Sequence, residues 1–179
     1  MALAYATLST IQVDYGLDET QIAGISVYNT ITAGLGCLIG GILGDRFGIK
    51  KMMAIVYALT ALPTAVLAMQ IGSVGLAGVS IQLFYSVIVL HGLIYGMAFG
   101  LHAAVFMGMT NPAIAATQFT AFMAMSNLAI SMGNFWQGVV AERFGYSVTL
   151  YLDALIVLAP LAVIAFLRNR EPEAELATA

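Results

Sequence analysis

The sequence predicts an all-α membrane protein in which six transmembrane helices, the first of them truncated, form a three-plus-three inverted repeat. Three observations support this fold class. Of the 179 residues, 61% are hydrophobic and only 8% are charged, whereas soluble domains carry about 25% charged residues to face water. Apolar segments of bilayer-spanning length recur along the chain. One short charged turn occurs twice, 97 residues apart.

The apolar segments define the predicted spans. Segments of about 20 mostly apolar residues, the length that crosses a bilayer, lie at 20–43, 52–71, 79–104, 117–140 and 147–167. The segment 1–13 is also apolar, but as a helix it covers only about 20 Å of a hydrocarbon core about 30 Å thick. We therefore expect a six-helix bundle over 1–167 whose first helix lacks its beginning, followed by a polar tail at 168–179.

The basic residues predict the orientation of these spans. With six spans, five of the six lysines and arginines lie on one side of the membrane: Arg46, Lys50, Lys51, Arg168 and Arg170. Arg143 alone lies on the other side. Cytoplasmic loops carry the excess of basic residues in membrane proteins. We therefore expect the loop 44–51 and the C-terminal tail to be cytoplasmic.

The repeated turn joins the second span to the third and the fifth to the sixth. Residues 41–48 (GILGDRFG) align with residues 138–145 (GVVAERFG). The second copy matches at Gly138, Arg143, Phe144 and Gly145, and Glu142 replaces Asp45. Three spans separate the copies, so they face opposite sides of the membrane, which is typical of an inverted repeat. The second copy is alternatively explained as a simple anchor at the membrane interface.

The first copy continues into a longer motif. Gly41, Leu43, Asp45, Arg46, Gly48, Lys50 and Lys51 match the pattern G-x-L-x-D-R-x-G-R-[RK]-[RK], and Ile49 departs from it. This pattern resembles the signature of the major facilitator superfamily. The resemblance implies half of a twelve-helix secondary active transporter, which moves a small polar solute or metabolite conjugate by alternating access. It further implies that Asp45 and Arg46 act in a conformational latch, and that the absent N-terminal six-helix half is the partner of this chain.

The segment 111–136 carries a second resemblance. Ala116–Phe119 (ATQF) is similar to a motif of muropeptide permeases, and the asparagines and glycine of 127–136 are similar to a stretch of acetyl-CoA transporters, with wider spacing here. This resemblance implies that branch of the superfamily and a location in the bacterial inner membrane.

Polar residues inside the spans are candidates for the substrate cavity. They are Asn29, His91, Tyr95, Asn127, Ser131 and Asn134. A polar side chain in lipid needs a partner or water, so it marks a functional site by default. Hydrogen bonding between helices is the alternative explanation for the asparagines and Ser131. His91 is either a structural residue or a contact for substrate or protons, which makes protons a candidate coupling ion.

Two rows of glycines, at 36, 40 and 44 and at 92, 96 and 100, predict close helix packing. The sequence offers no acid pair, metal cluster or activated nucleophile at a useful spacing. We therefore expect no enzyme activity, catalytic residue, metal, cofactor or nucleic-acid partner. The alternative to a transporter is a non-transporting membrane subunit or sensor that retains the fold.

Overall fold

The computed structural model describes residues 6–166, and every regular element in that range is helical. The helices are α1 (Ala6–Tyr15), α2 (Glu19–Phe47), α3 (Ile49–Val74), α4 (Ile81–Met109), α5 (Ala115–Ile156) and α6 (Ala159–Phe166). Short 3₁₀ turns, Leu76–Gly78 and Pro112–Ile114, precede α4 and α5. The start of the predicted first span and the predicted tail at 168–179 lie outside the described residues.

Four helical segments are long and apolar enough to cross a membrane: Glu19–Phe47, Ile49–Val74, Ile81–Met109 and Pro112–Ala162. The prediction of an all-helical protein with apolar helices of spanning length is therefore confirmed for the described residues. The last segment covers the predicted fifth span and most of the sixth, because α5 runs through a single non-helical residue, Gly145. The six-helix count and the three-plus-three arrangement stay predictions.

The charged turns are tighter than the loops that the sequence predicted. α2 runs to Phe47 and α3 begins at Ile49, so the predicted loop 44–51 is helical except at Gly48. Asp45 and Arg46 therefore lie in the last turn of α2. A helix can continue past the hydrocarbon core because the interfacial region beyond it solvates charged side chains.

A glycine with a positive φ angle breaks the helix at each copy of the repeated turn. Gly48 has φ 90° and Gly145 has φ 81°, in a region that residues with a Cβ atom rarely occupy. The Gly48 carbonyl accepts a 3.0 Å hydrogen bond from the Met52 amide. The Gly145 carbonyl accepts a 2.9 Å bond from the Thr149 hydroxyl. The two turns thus share a backbone feature at matching positions, in addition to their residues.

The predicted glycine rows bring the backbones of α2 and α4 into direct contact. A Cβ atom at Gly40 would lie 2.5 Å from the Met97 carbonyl oxygen. One at Gly100 would lie 2.6 Å from the Cys37 carbonyl oxygen. These distances leave no room for a side chain on either helix. Each helix therefore presents glycines to the backbone of the other, as small-residue interfaces in membranes do.

α3 forms the buried centre of the bundle. Near its start, Val56 belongs to an apolar cluster with Leu101 of α4. Near its end, Leu67 belongs to a second cluster with Phe84 of α4 and Leu150 of α5. The Ser147 hydroxyl adds a 2.9 Å hydrogen bond to a carbonyl of α3. These contacts pack both α4 and the part of α5 beyond Gly145 against one central helix.

We expect Gly40→Val to destabilise the folded protein, because the new Cβ atom meets the Met97 backbone, which cannot rotate away. Overpacking typically costs about 1–3 kcal/mol. The matched control is Gly41→Val, since a Cβ at Gly41 meets no atom within 4 Å. Thermal unfolding of both variants in the same detergent tests the interface. Equal melting midpoints would contradict it.

Candidate functional site

A cavity of about 720 Å³ lies between α4 and α5, with α3 behind it. α4 lines it from Tyr95 to Phe106, and α5 lines it from Phe122 to Gln137. Tyr57 of α3 and Asp153, beyond the break in α5, also contribute to its lining. The volume falls within the range that holds drug-sized organic ligands.

Aromatic rings form much of the cavity wall. The ring centroids of His102 and Phe106 lie 4.8 Å apart, and those of Phe106 and Phe122 lie 5.1 Å apart. This row joins α4 to α5 across one end of the cavity. The Tyr57 hydroxyl lies 3.4 Å from Nδ1 of His102 and ties the row to α3. The wall therefore offers flat apolar surfaces to a ligand.

The polar groups of the lining are few and come mainly from α5. Asn127 is exposed and Asn134, two helical turns further on, is half-buried. Their spacing places both amides on the same side of the helix. The Ser126 hydroxyl also faces the cavity but donates to the Phe122 carbonyl of its own helix at 3.0 Å. The two amides are thus the available hydrogen-bonding groups along this wall.

A buried polar chain closes another part of the cavity. The Gln137 amide donates to Oδ1 of Asp153 at 2.8 Å, and the Thr7 hydroxyl donates to the Gln137 side-chain oxygen at 2.8 Å. Asp153 is only 2% exposed. Burying a carboxylate is costly unless hydrogen bonds compensate it. Gln137 supplies that compensation and links α1 to both parts of α5.

Asp153 and Gln137 were not among the candidate residues from the sequence. The sequence could have indicated Asp153 as a candidate, because a carboxylate within an apolar span is rare and marks a functional site by default. Gln137 was harder to recognise as a buried residue, because it directly precedes the second copy of the charged turn at 138–145. Their pairing depends on the reversal of the chain at Gly145, which brings residues 16 positions apart into contact.

The structure brings together three of the six predicted cavity residues. Tyr95, Asn127 and Asn134 line the cavity. Asn29 instead lies at the α2–α4 interface, against the backbone position of Gly92. Ser131 is exposed on α5, outside the described lining.

His91 lies behind the cavity lining. Its ring is fully buried and stacks on Tyr95 with a centroid distance of 6.1 Å. Neither ring nitrogen has a hydrogen-bond partner in the described part of the chain. Asp153 is near enough to interact electrostatically with the imidazole. His91 thus contacts the cavity-lining residue Tyr95 and lies within the field of Asp153.

The charged turns lie apart from the cavity. Asp45 and Arg46 are exposed at the end of α2, where the Arg46 guanidinium lies 5.4 Å from the centroid of the Phe47 ring. The predicted latch residues also include Gly41, the turn residue Gly48, half-buried Lys50 and exposed Lys51. In the second copy, Gly138, Glu142, Arg143 and Gly145 are all exposed.

Long apolar helices around a cavity are typical of membrane transport proteins. The family described as the Major Facilitator Superfamily matches residues 1–179, and the chain therefore belongs to that superfamily. Its members are transporters rather than enzymes. No curated protein and no solved structure matches the chain. The predicted family is confirmed, and the predicted branch within it stays a prediction.

We expect Gln137→Leu to destabilise the protein, because Thr7 and Asp153 each lose a hydrogen-bond partner in a buried site. Leaving a buried polar group unsatisfied costs about 1–3 kcal/mol. Ser126→Ala is the control, since that hydroxyl bonds only its own helix. Melting midpoints in one detergent provide the measurement. A midpoint for Gln137→Leu as high as that of Ser126→Ala would refute a structural role for the polar chain.

Proposed function

We propose that the chain forms one half of a secondary active transporter that works by alternating access. The observation that carries this proposal is the cavity of about 720 Å³ between α4 and α5 in a chain of the Major Facilitator Superfamily. In this mechanism, a solute binds near the middle of the membrane, and the two halves of the transporter rock around it. The partner is the N-terminal six-helix half.

The lining of the cavity supports an organic solute of mixed character. Asn127 and Asn134 would bind its polar groups, as the predicted small polar solute or metabolite conjugate requires. The aromatic row from His102 to Phe122 would pack against an apolar portion. A conjugate that carries both kinds of group fits this lining better than a sugar or an inorganic ion. The branch of muropeptide permeases and acetyl-CoA transporters remains a proposal.

The inverted repeat is also part of the proposal. The positive-φ glycines at 48 and 145 support two structurally equivalent turns on opposite faces of the membrane. With the basic residues inside, residues 44–51 and the C-terminal tail are cytoplasmic, and a bacterial inner membrane is the proposed location. The exposed apolar side chains of α5 outside the cavity lining, among them Leu128 and Phe135, provide a surface for lipid or the other half.

The position of the first charged turn supports its proposed role as a latch. Asp45 and Arg46 are exposed at the end of α2, directly before the Gly48 turn, where a contact with the other half could form or break. Such a contact would favour one conformation of the transporter over the other.

Protons remain the proposed coupling ion, as symport or antiport. His91 and Asp153 are buried ionisable groups, and Asp153 lines the cavity. Both are held inside the helical bundle, where a change of charge would alter helix packing. A non-transporting subunit or sensor is the less favoured alternative.

We expect Asn134→Ala to impair solute transport at least several-fold while the protein remains folded in the membrane, because the cavity loses one of its two free amides. Gln70→Ala is the matched control, since it removes an exposed amide on α3 outside the cavity. Initial uptake or efflux rates are measured in cells producing the complete transporter, normalised to the folded amount. Equal rates in the two variants would remove Asn134 from the site.

We expect Asp45→Asn to slow transport without weakening solute binding, because the latch acts on the conformational exchange rather than on the cavity. Glu142→Gln provides the control, since it neutralises the matching acid in the second turn. Transport rate and solute affinity are both measured. An unchanged transport rate in Asp45→Asn would rule out the latch.

A further inference from the structure

We propose that the α4–α5 cavity selects aromatic organic cations, with Asp153 as the counter-charge. This inference rests on the proposed transport function and names a cationic substrate class. It therefore replaces the anionic CoA thioesters and peptidoglycan fragments that the proposed branch would imply. The juxtaposition that carries it is one cavity that is lined both by aromatic rings and by a single buried carboxylate among its described residues.

The fixed charge of the described cavity lining is negative. Among the described residues that line the cavity, Asp153 is the only carboxylate, and neither lysine nor arginine is present. The ring of His102 is the one basic group, and it packs against Phe106 and Tyr57. Among the described lining residues, an anion would meet no lysine or arginine and would be repelled by Asp153.

The burial of Asp153 strengthens its effect on a bound ion. The carboxylate is 2% exposed and lies where the local dielectric is low, so its field is screened little by water. The Gln137 amide donates to Oδ1. A hydrogen bond from a neutral amide does not cancel the charge of a carboxylate, so the field of Asp153 still acts on a cation in the cavity. A ligand therefore need not displace the Gln137 bond to gain from the charge.

The aromatic walls determine what kind of cation fits. Phe99, Phe106, Phe122 and Trp136 line the cavity. The face of an aromatic ring attracts cations, and the attraction grows when water is removed. A small hydrated ion would lose its water shell here without enough oxygen ligands to replace it. An organic cation that carries its charge among aromatic groups loses less hydration and gains packing with the rings.

The experiment compares tetraphenylphosphonium with tetraphenylborate, which carry the same phenyl groups around a central atom and differ in the sign of the charge. Trp136 lines the cavity and is the single tryptophan of the sequence, so its fluorescence reports on binding. The full chain is embedded in phosphatidylcholine nanodiscs, and empty nanodiscs correct for partitioning of each ion into lipid. We expect saturable quenching by tetraphenylphosphonium and none by tetraphenylborate at the same concentration.

Two variants test the role of the carboxylate. Asp153→Asn keeps the size of the side chain and should weaken tetraphenylphosphonium binding about tenfold or more. Glu142→Gln removes an acid from the exposed second turn, outside the cavity, and should leave the affinity unchanged. The comparison of the two ions on the unmodified chain needs no variant, so poor folding of Asp153→Asn would not prevent the test.

The outcomes separate this inference from the proposed function. Equal or tighter binding of tetraphenylborate, or unchanged affinity in Asp153→Asn, would overturn the cation preference. Transport of a neutral or anionic solute through the same cavity would likewise overturn it while leaving the transporter intact. Saturable tetraphenylphosphonium binding that depends on Asp153, in a protein that transports no solute, would support the cation site and refute the transport function.

Discussion

The direct backbone contact between α2 and α4 is the constraint on which the rest of the bundle depends. Glycines on both helices allow it, as the position of Gly40 against the Met97 carbonyl shows. Between membrane helices there is no hydrophobic driving force, so close packing must supply the attraction. One side of α4 is used entirely for this contact. Its other sides are then free to pack on α3 and to line the cavity from Tyr95 to Phe106.

The buried chain of hydrogen bonds from Thr7 to Asp153 compensates the energetic cost of placing a carboxylate among apolar helices. Gln137 bonds both residues, at 2.8 Å each, and so joins α1 to the two parts of α5. The same chain positions the only carboxylate of the described lining at the cavity wall. The Asp153 side chain therefore belongs both to the contacts between helices and to the cavity wall. A group that fixes the helices in place also sets the charge that a solute would encounter.

Much of the fold could be predicted from the sequence, and less of the site. Segment length and apolarity predicted the spanning helices because the bilayer thickness fixes the number of residues needed. The glycine rows predicted close packing, and the structure shows which two helices they join. Tyr95 of α4 and the two asparagines of α5, Asn127 and Asn134, line the cavity, and their role in binding a solute stays a prediction. Asn29 and Ser131 were polar at suitable positions, but a one-dimensional pattern cannot state which neighbour a helix face meets.

The sequence by itself determined the membrane class, the repeated charged turn and the superfamily motif, since each depends on composition or on residues adjacent in the chain. Only the tertiary structure decided that Gln137 bonds Asp153, that His91 lies behind Tyr95, and that the predicted loop 44–51 shrinks to the Gly48 turn. The physical reason is that contacts across helices depend on how each helix is rotated and on where the backbone reverses. Those quantities follow from packing of the whole bundle and leave no local pattern in the sequence.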